Sequence, residues 1–166
     1  FGQTPDLPHP LAAVWEAWKA AYMEQDGRVV DLLQDGASHS ESQGYGLLLA
    51  ATMQDAAAFD AIDDWTTRHL RIRQDNLLAW RWLPQATLAV PDLNNASDGD
   101  LFYAWALIRA AKTFDRPALT ERATAIARDL SDICIQNHPD GSGRLVFTPA
   151  ATGFQRDTGL IWNPSY

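Results

Sequence analysis

Two short acidic runs hold the residues best suited to chemistry. Ser40-Glu41-Ser42-Gln43 and Ser97-Asp98-Gly99-Asp100 each set carboxylates at the head of a long apolar segment. Both read as helix starts, with a serine able to cap and, three residues on, a group able to reach back to it. The helix dipole favours an acidic residue there whether or not it has a further role. If the two helices lie side by side and run parallel, Glu41 and Asp98 face the same end. Such a pair suits acid–base cleavage of a glycosidic bond, in which one carboxyl protonates the leaving oxygen. A helix start stabilises the anion, so an acid at this position needs a nearby carboxylate or a water-poor, sugar-filled cleft to keep its proton. Asp98 is the candidate neighbour for Glu41. Gly44-Tyr45-Gly46 and Gly99 put small residues into the first turns, at about 1 kcal/mol of helix propensity per glycine. They are expected to let a ligand approach the backbone.

Other chemistry is poorly represented. The formal net charge is −8, which repels phosphate backbones and argues against nucleic acid and anionic membrane surfaces. Cys134 is the only cysteine, so neither an internal disulfide nor a thiolate metal cluster is expected. It sits in the apolar stretch Ile133-Cys134-Ile135, where a small buried side chain is the expectation. Histidines 9, 39, 69 and 138 form no metal-ligand motif. The run 92–100 misses the calcium-loop pattern, with Ala96 at a ligand position and Ser97 where glycine is required. No metal and no cofactor is expected. Seven tryptophans occur. Trp80 and Trp82 fall in a loop-like region, where they either stack on sugar rings or cover the core.

The elements that must position these groups are helical. The chain has 166 residues, 46% of them apolar and 20% charged, enough for one substantial core. Segment 11–24 places Leu11, Val14, Trp15, Trp18 and Tyr22 on one stripe, and segment 56–70 is amphipathic behind an Asp55 cap. Segments 43–53 and 98–112 are apolar nearly all round, which predicts helices buried on most sides. Segment 117–137 is amphipathic again. Residues 71–97 predict a long structured loop, residues 144–148 a short strand after the 138–143 turn, and 149–166 an irregular tail. The alternation of amphipathic and buried helices fits an inner ring of parallel helices inside an outer ring. A generic antiparallel bundle has the same periodicity.

At these residues the sequence resembles glycoside hydrolase family 8. Ser40-Glu41-Ser42-Gln43-Gly44-Tyr45-Gly46 is similar to the family's S-E-G-Q-G-Y-G segment, and Ala96-Ser97-Asp98-Gly99-Asp100 to its A-[ST]-D-[AG]-D signature. Leu78-Ala79-Trp80 resembles a segment that supplies an aromatic sugar platform, and Asn163-Pro164-Ser165-Tyr166 a further motif near the cleft. The resemblance runs from about residue 27 to the end, in the family's order. It implies an all-α (α/α)6 barrel, present here as about half of one, with residues 1–166 forming the N-terminal part of a single catalytic domain. It implies an endo-β-1,4-glucanase with an inverting mechanism, Glu41 as general acid, and Asp98 positioning sugar and water. Tyr45, Trp80, Asp100 and Tyr166 are the implied substrate-binding residues. Ser42 departs from the family's usual glycine and is expected to narrow the cleft.

The resemblance places the family's usual catalytic base beyond position 166, so these 166 residues alone are expected to be inactive and poorly soluble without the C-terminal half of the barrel. The partners implied are a β-glucan polysaccharide and that missing half, with a monomer once complete. The setting implied is secreted or periplasmic in a bacterium, although Phe1-Gly2-Gln3-Thr4-Pro5 lacks the features of a signal peptide. No membrane insertion is expected, because no apolar run approaches the roughly 20 residues needed. A non-catalytic carbohydrate-binding or helical scaffold protein on the same fold is the competing reading.

Overall fold

The computed structural model describes residues 10–156 and 159–161. Five helices dominate it: α1 (Ala12–Tyr22), α2 (Ser40–Thr52), α3 (Ala56–His69), α4 (Ser97–Thr113) and α5 (Ala118–Cys134). Three small antiparallel ladders join them. They pair β1 (Ser38–His39) with β2 (Arg81–Trp82), β3 (Ile135–Asn137) with β4 (Leu145–Phe147), and β5 (Gln155–Arg156) with β6 (Gly159–Leu160). The strand expected at 144–148 is β4. The β1–β2 ladder, which ties the long loop to the residues before α2, and the β5–β6 ladder in the tail are additions that sequence periodicity did not suggest.

Local chemistry explains the outer helices. Asp55 caps α3 by accepting the Ala58 N–H at 3.0 Å, as its residue type predicts. Phe59, Ile62, Trp65 and Thr66 then fall on the buried face. In α5, Leu119, Ala123, Ile126, Leu130 and Cys134 recur every three to four residues and are buried, while the polar residues between them face outward. The Cys134 thiol is a free, buried group.

The inner helices α2 and α4 pack backbone to backbone. A Cβ at Gly99 would fall 2.1 Å from Ser40 Oγ, and one at Gly44 2.8 Å from Phe102 Cβ. The contact thus advances from 40/99 to 44/102 in the same sense along both helices, so they run parallel. Around them the outer helices run the other way. Gln43 Nε2 donates to Thr66 Oγ1 at 2.9 Å and Gly46 faces Ile62, which sets α3 antiparallel to α2. Asn95 lies by Cys134 and Tyr103 by Arg122, which sets α5 antiparallel to α4. Helix α1 leans on the start of α3, with Trp15 Nε1 and Lys19 Nζ both bonded to Asp55 Oδ2, at 3.0 and 2.7 Å. The arrangement is about half of an (α/α)6 barrel and does not close among the described residues.

Three expectations change. The glycines at 44, 46 and 99 admit a neighbouring helix or side chain, not a ligand: a Cβ at 44 or 99 would collide with α4 or with Ser40, and one at 46 would press on Val29, Ile62 and Trp18. The caps also shift by one residue. His39 and Ala96 are the N-cap residues and Ser40 and Ser97 already belong to their helices; Gln43 turns into the core, and Ser42 completes the α2 box with His39 in its place. Finally, the apolar stripe of α1 is only partly covered. Trp15 is buried, but Leu11, Val14 and Tyr22 are exposed, as are Leu49 on α2 and Leu101, Trp105 and Ile108 on α4.

Candidate active site

The first turns of α2 and α4 touch, and that contact builds the site. Gly99 lies against Ser40 and the Glu41 amide, so the residues beside it, Glu41 and Asp98, open into one space. That space is a cleft of about 420 Å³, lined by Asp31, Gln34, His39, Glu41, Tyr45, Trp80 and Asp98 among others. Glu41 and Asp98 are half-buried. The Asp98 Oδ1 accepts the Gly99 N–H at 2.7 Å.

The cleft does not end at the carboxyls. On one side a cavity of about 290 Å³ shares Trp80 and Ala96 with it and continues along Asp92, Asn94, Pro149 and Phe154. On the other, a cavity of about 410 Å³ shares Asp31, Ser42 and Tyr45 and is walled by Trp18, Tyr22, Val30 and Leu33. The result is a groove longer than one ring, with carboxyls midway and aromatic side chains to either side. This shape suits an extended, mostly uncharged polymer better than a small ion.

Tyr45 stands one turn after Glu41, and its hydroxyl donates to Glu41 Oε1 at 2.7 Å. Its ring packs on Phe102 of α4, with centroids 4.5 Å apart, so the second inner helix fixes the partner of the first helix's carboxyl. That hydrogen bond, then burial, then the charges of Glu41 and Asp98 push the Tyr45 phenol up to about 12. It therefore remains a donor across the physiological range.

Trp80 and Trp82 part company. Trp80 lines the cleft, and its indole N–H donates to Asp92 Oδ2 at 2.9 Å. The Arg81 guanidinium lies 4.3 Å from its ring centre and the His39 ring 5.9 Å away. Trp82 instead packs edge-on against Trp65 at 5.6 Å and joins the core. Of the two readings open to these tryptophans, the cleft takes Trp80 and the core takes Trp82. The backbone holds Trp80 in place from both sides: its N–H donates to Asn94 O at 2.9 Å and its carbonyl accepts the Ser40 N–H at 3.0 Å.

Asp100 does not contact the cleft. The expectation that it binds substrate is corrected by its burial: it is 0% exposed, and its two oxygens accept the Leu78 N–H at 2.8 Å and Asn95 Nδ2 at 3.0 Å. Tyr166 lies outside the described residues. Ser42, read as narrowing the cleft, chiefly closes the helix start: its Oγ donates to His39 O at 2.9 Å and accepts the His39 N–H at 3.1 Å.

Asp31, Gln34 and His39 are cleft residues that sequence reasoning missed. A turn through Asp35 and Gly36, both at positive φ (54° and 74°), folds residues 31–37 back beside α2. Only Gly36 does so without steric cost. His39 Nδ1 lies 3.8 Å from Asp31 Oδ2, and burial outweighs that carboxylate in lowering the imidazole's affinity for a proton. The position of His39, next to an acidic helix start, was the available signal. Among the described residues no group of three His, Cys, Asp or Glu side chains is disposed to hold a metal ion.

Comparison with known proteins fits this geometry. Residues 8–166 match the family described as glycosyl hydrolases family 8. A probable endoglucanase of Novacetimonas hansenii is 40% identical over 159 residues, covering 96% of this chain and 46% of that protein. An endoglucanase of Cellulomonas uda is 38% identical over 152 residues, covering 92% and 42%. Among solved structures, the family 8 endoglucanase of Klebsiella pneumoniae superimposes with a TM-score of 0.88 at 38% identity, over 92% of this chain and 48% of that one. The endo-β-1,4-glucanase CMCax of Acetobacter xylinum gives 0.87 at 39%, over 95% and 48%. The chain thus spans about half the length of the curated relatives it matches.

Proposed function

The chain belongs to glycosyl hydrolase family 8, and from that membership we propose that it is the N-terminal part of the catalytic domain of an endo-acting, inverting β-1,4-glucanase. One observation carries the reading: two carboxyls, from the abutting first turns of parallel helices, open into the middle of a groove walled by aromatic rings.

In this reading Glu41 protonates the leaving glycosidic oxygen. Asp98 holds the sugar at the cleavage point and the attacking water. The base that activates this water comes from beyond residue 166, across a gap of roughly 6.5–9.5 Å. Trp80 offers an indole face to the C–H face of a pyranose ring. Tyr45 serves Glu41 in both states, since a phenol hydroxyl donates to a carboxylate and accepts from a carboxylic acid. A glucan chain filling the groove removes water from around the carboxyls, and proton transfer then proceeds between groups already in position.

The exposed apolar side chains of α1, α2 and α4 fit the same reading. Leu49, Leu101, Trp105 and Ile108 lie on the inner helices, where the rest of a ring would cover them at a gain of roughly 25 cal/mol per Å². We read the complete protein as a monomer exported to the periplasm or the medium, where its polymeric substrate is found. No helix among the described residues is long and apolar enough to cross a membrane.

The test uses the full-length protein on carboxymethylcellulose, xylan and chitosan, with release of reducing ends as the measurement. Release from carboxymethylcellulose first, and a loss of about 10³-fold in rate for Glu41→Gln with sugar affinity kept, is the expected outcome. Turnover unaffected by Glu41→Gln overturns the assignment of the acid. Sugar binding with no turnover in the parent protein favours the non-catalytic reading.

A further inference from the structure

We propose that Asn95 and Asp100 form a positioning pair that sets the Trp80 wall of the groove against Glu41 and Asp98. The role rests on the reading of the groove as a glucan site and involves no contact with substrate.

The pair sits where four segments meet. Asp100 Oδ1 accepts the Leu78 N–H, two residues before Trp80, and Oδ2 accepts Asn95 Nδ2. The amide of Asn95 cannot turn over, because its Oδ1 already accepts the Ala151 N–H at 2.7 Å. Next to it, Asn94 O receives the Trp80 N–H, and Trp80 O receives the N–H of Ser40, the neighbour of Glu41. Asp98 precedes Asp100 in the same helical turn. The loop bearing Trp80, the starts of both inner helices and the segment at Ala151 are thereby linked through one buried pair and the backbone bonds beside it.

The residue type carries the argument. Two donors converge on position 100, one a backbone N–H and the other an amide whose orientation is fixed. A carboxyl presents an acceptor oxygen to each donor on one planar group; an asparagine supplies one acceptor and a donor facing a donor. Burying a carboxylate away from a bonded cation is costly. Arg73, the cation whose field reaches Asp100, is itself paired with Asp75 at 2.6 Å. If only a structural plug were needed, a neutral side chain would serve. Burial pushes the Asp100 carboxyl up to about 7; the Leu78 and Asn95 hydrogen bonds and Arg73 pull the other way, and Asp75 adds to the rise. Cys134 also faces the pair, with its Sγ 3.5 Å from Asn95 Nδ2.

A swap of the two residues tests the idea. In the full-length protein, Asp100→Asn sets donor against donor and is expected to raise KM for carboxymethylcellulose about tenfold with kcat changed less than about threefold. The double variant Asn95→Asp/Asp100→Asn restores every acceptor, to Ala151, to Leu78 and between the two side chains, and is expected to return KM to within about threefold of the parent. Asn95→Ala is the milder third variant, should Asp100→Asn not fold; it is expected to raise KM with kcat held. Parental KM in Asp100→Asn or Asn95→Ala overturns the proposal, as does a folded double variant no better than the single one. Amide hydrogen exchange at Leu78 gives an independent reading. It should quicken about tenfold in Asp100→Asn and recover in the swap. If the parent releases no reducing sugar, the glucanase reading falls, while the exchange rates still decide the positioning role.

Discussion

The two acidic helix starts share a pattern and diverge in what they bury. In each, the second residue turns to the groove: Glu41 in α2 and Asp98 in α4. In each, the fourth residue turns inward and is 0% exposed: Gln43 in α2 and Asp100 in α4. Both inward groups anchor a loop. Gln43 Oε1 accepts the Val29 N–H at 2.6 Å, and its amide donates to Thr66 Oγ1. Asp100 accepts from Leu78 and Asn95. The difference follows from the partners. Gln43 meets one donor, the Val29 N–H, and two acceptors, Thr66 Oγ1 and Gly27 O, so a neutral amide satisfies them all. Asp100 meets two donors, so a carboxyl, with an acceptor on each oxygen, suits it where an amide would not, and α4 buries an ionisable group where α2 buries a neutral one. Alike in sequence, the two starts are told apart by the loops packed on them.

Breaking the contact between the starts should have the largest effect. Gly99→Ala drives a Cβ to 2.1 Å from Ser40 Oγ and 2.8 Å from the Glu41 amide, and is expected to cost about 3 kcal/mol beyond any gain in helix propensity. Urea unfolding would measure the cost, and loss of activity in the full-length protein would register the separation of Glu41 from Asp98. An unaltered midpoint would mean that the helices do not touch there. Gln43→Ala should come next. It strands the buried Val29 N–H and opens a small void, for a loss of about 2 kcal/mol in unfolding free energy. Equal stability would show that the amide anchors nothing.

The smallest effect sharpens the contrast in charge. Asp100 holds its proton to about 7 in the folded protein, whereas the unfolded chain releases it near the ordinary carboxyl value. Its favourable contribution is therefore complete at low pH and is lost as pH rises through about 7. Between pH 6 and pH 8 the parent should lose about 1 kcal/mol of stability from this group. Asp100→Asn should show that much less pH dependence in urea unfolding, and Gln43→Ala should follow the parent. A parent and an Asp100→Asn variant with the same pH slope would show that the carboxyl is already ionised at pH 6.

Much of this was legible in the chain. The amphipathic stripes placed α3 and α5, Asp55 announced its cap, and the paired motifs picked out Glu41 and Asp98. Trp80 was singled out by lying off any helical stripe, though whether it faced sugar or core stayed open until the loop was folded. The inward turn of Asp100 and the cleft position of His39 were not legible, because a carboxylate two residues from a groove-facing one looks the same in sequence whichever way it points. Likewise the glycines were seen to matter, but sequence could not tell a passage for a ligand from a seat for another helix.

By itself the sequence determined the helices and their apolar faces, because those follow from propensity and a 3.6-residue period, which act within a single turn of chain. It also picked out the residues best suited to chemistry, since two acidic runs stand at the heads of apolar segments. Only the tertiary structure decided which carboxyl meets the groove and which is sealed beneath it. That choice depends on donors delivered from residues 78 and 95 and from the far end of the described chain, and a local pattern holds no record of what will be packed against it.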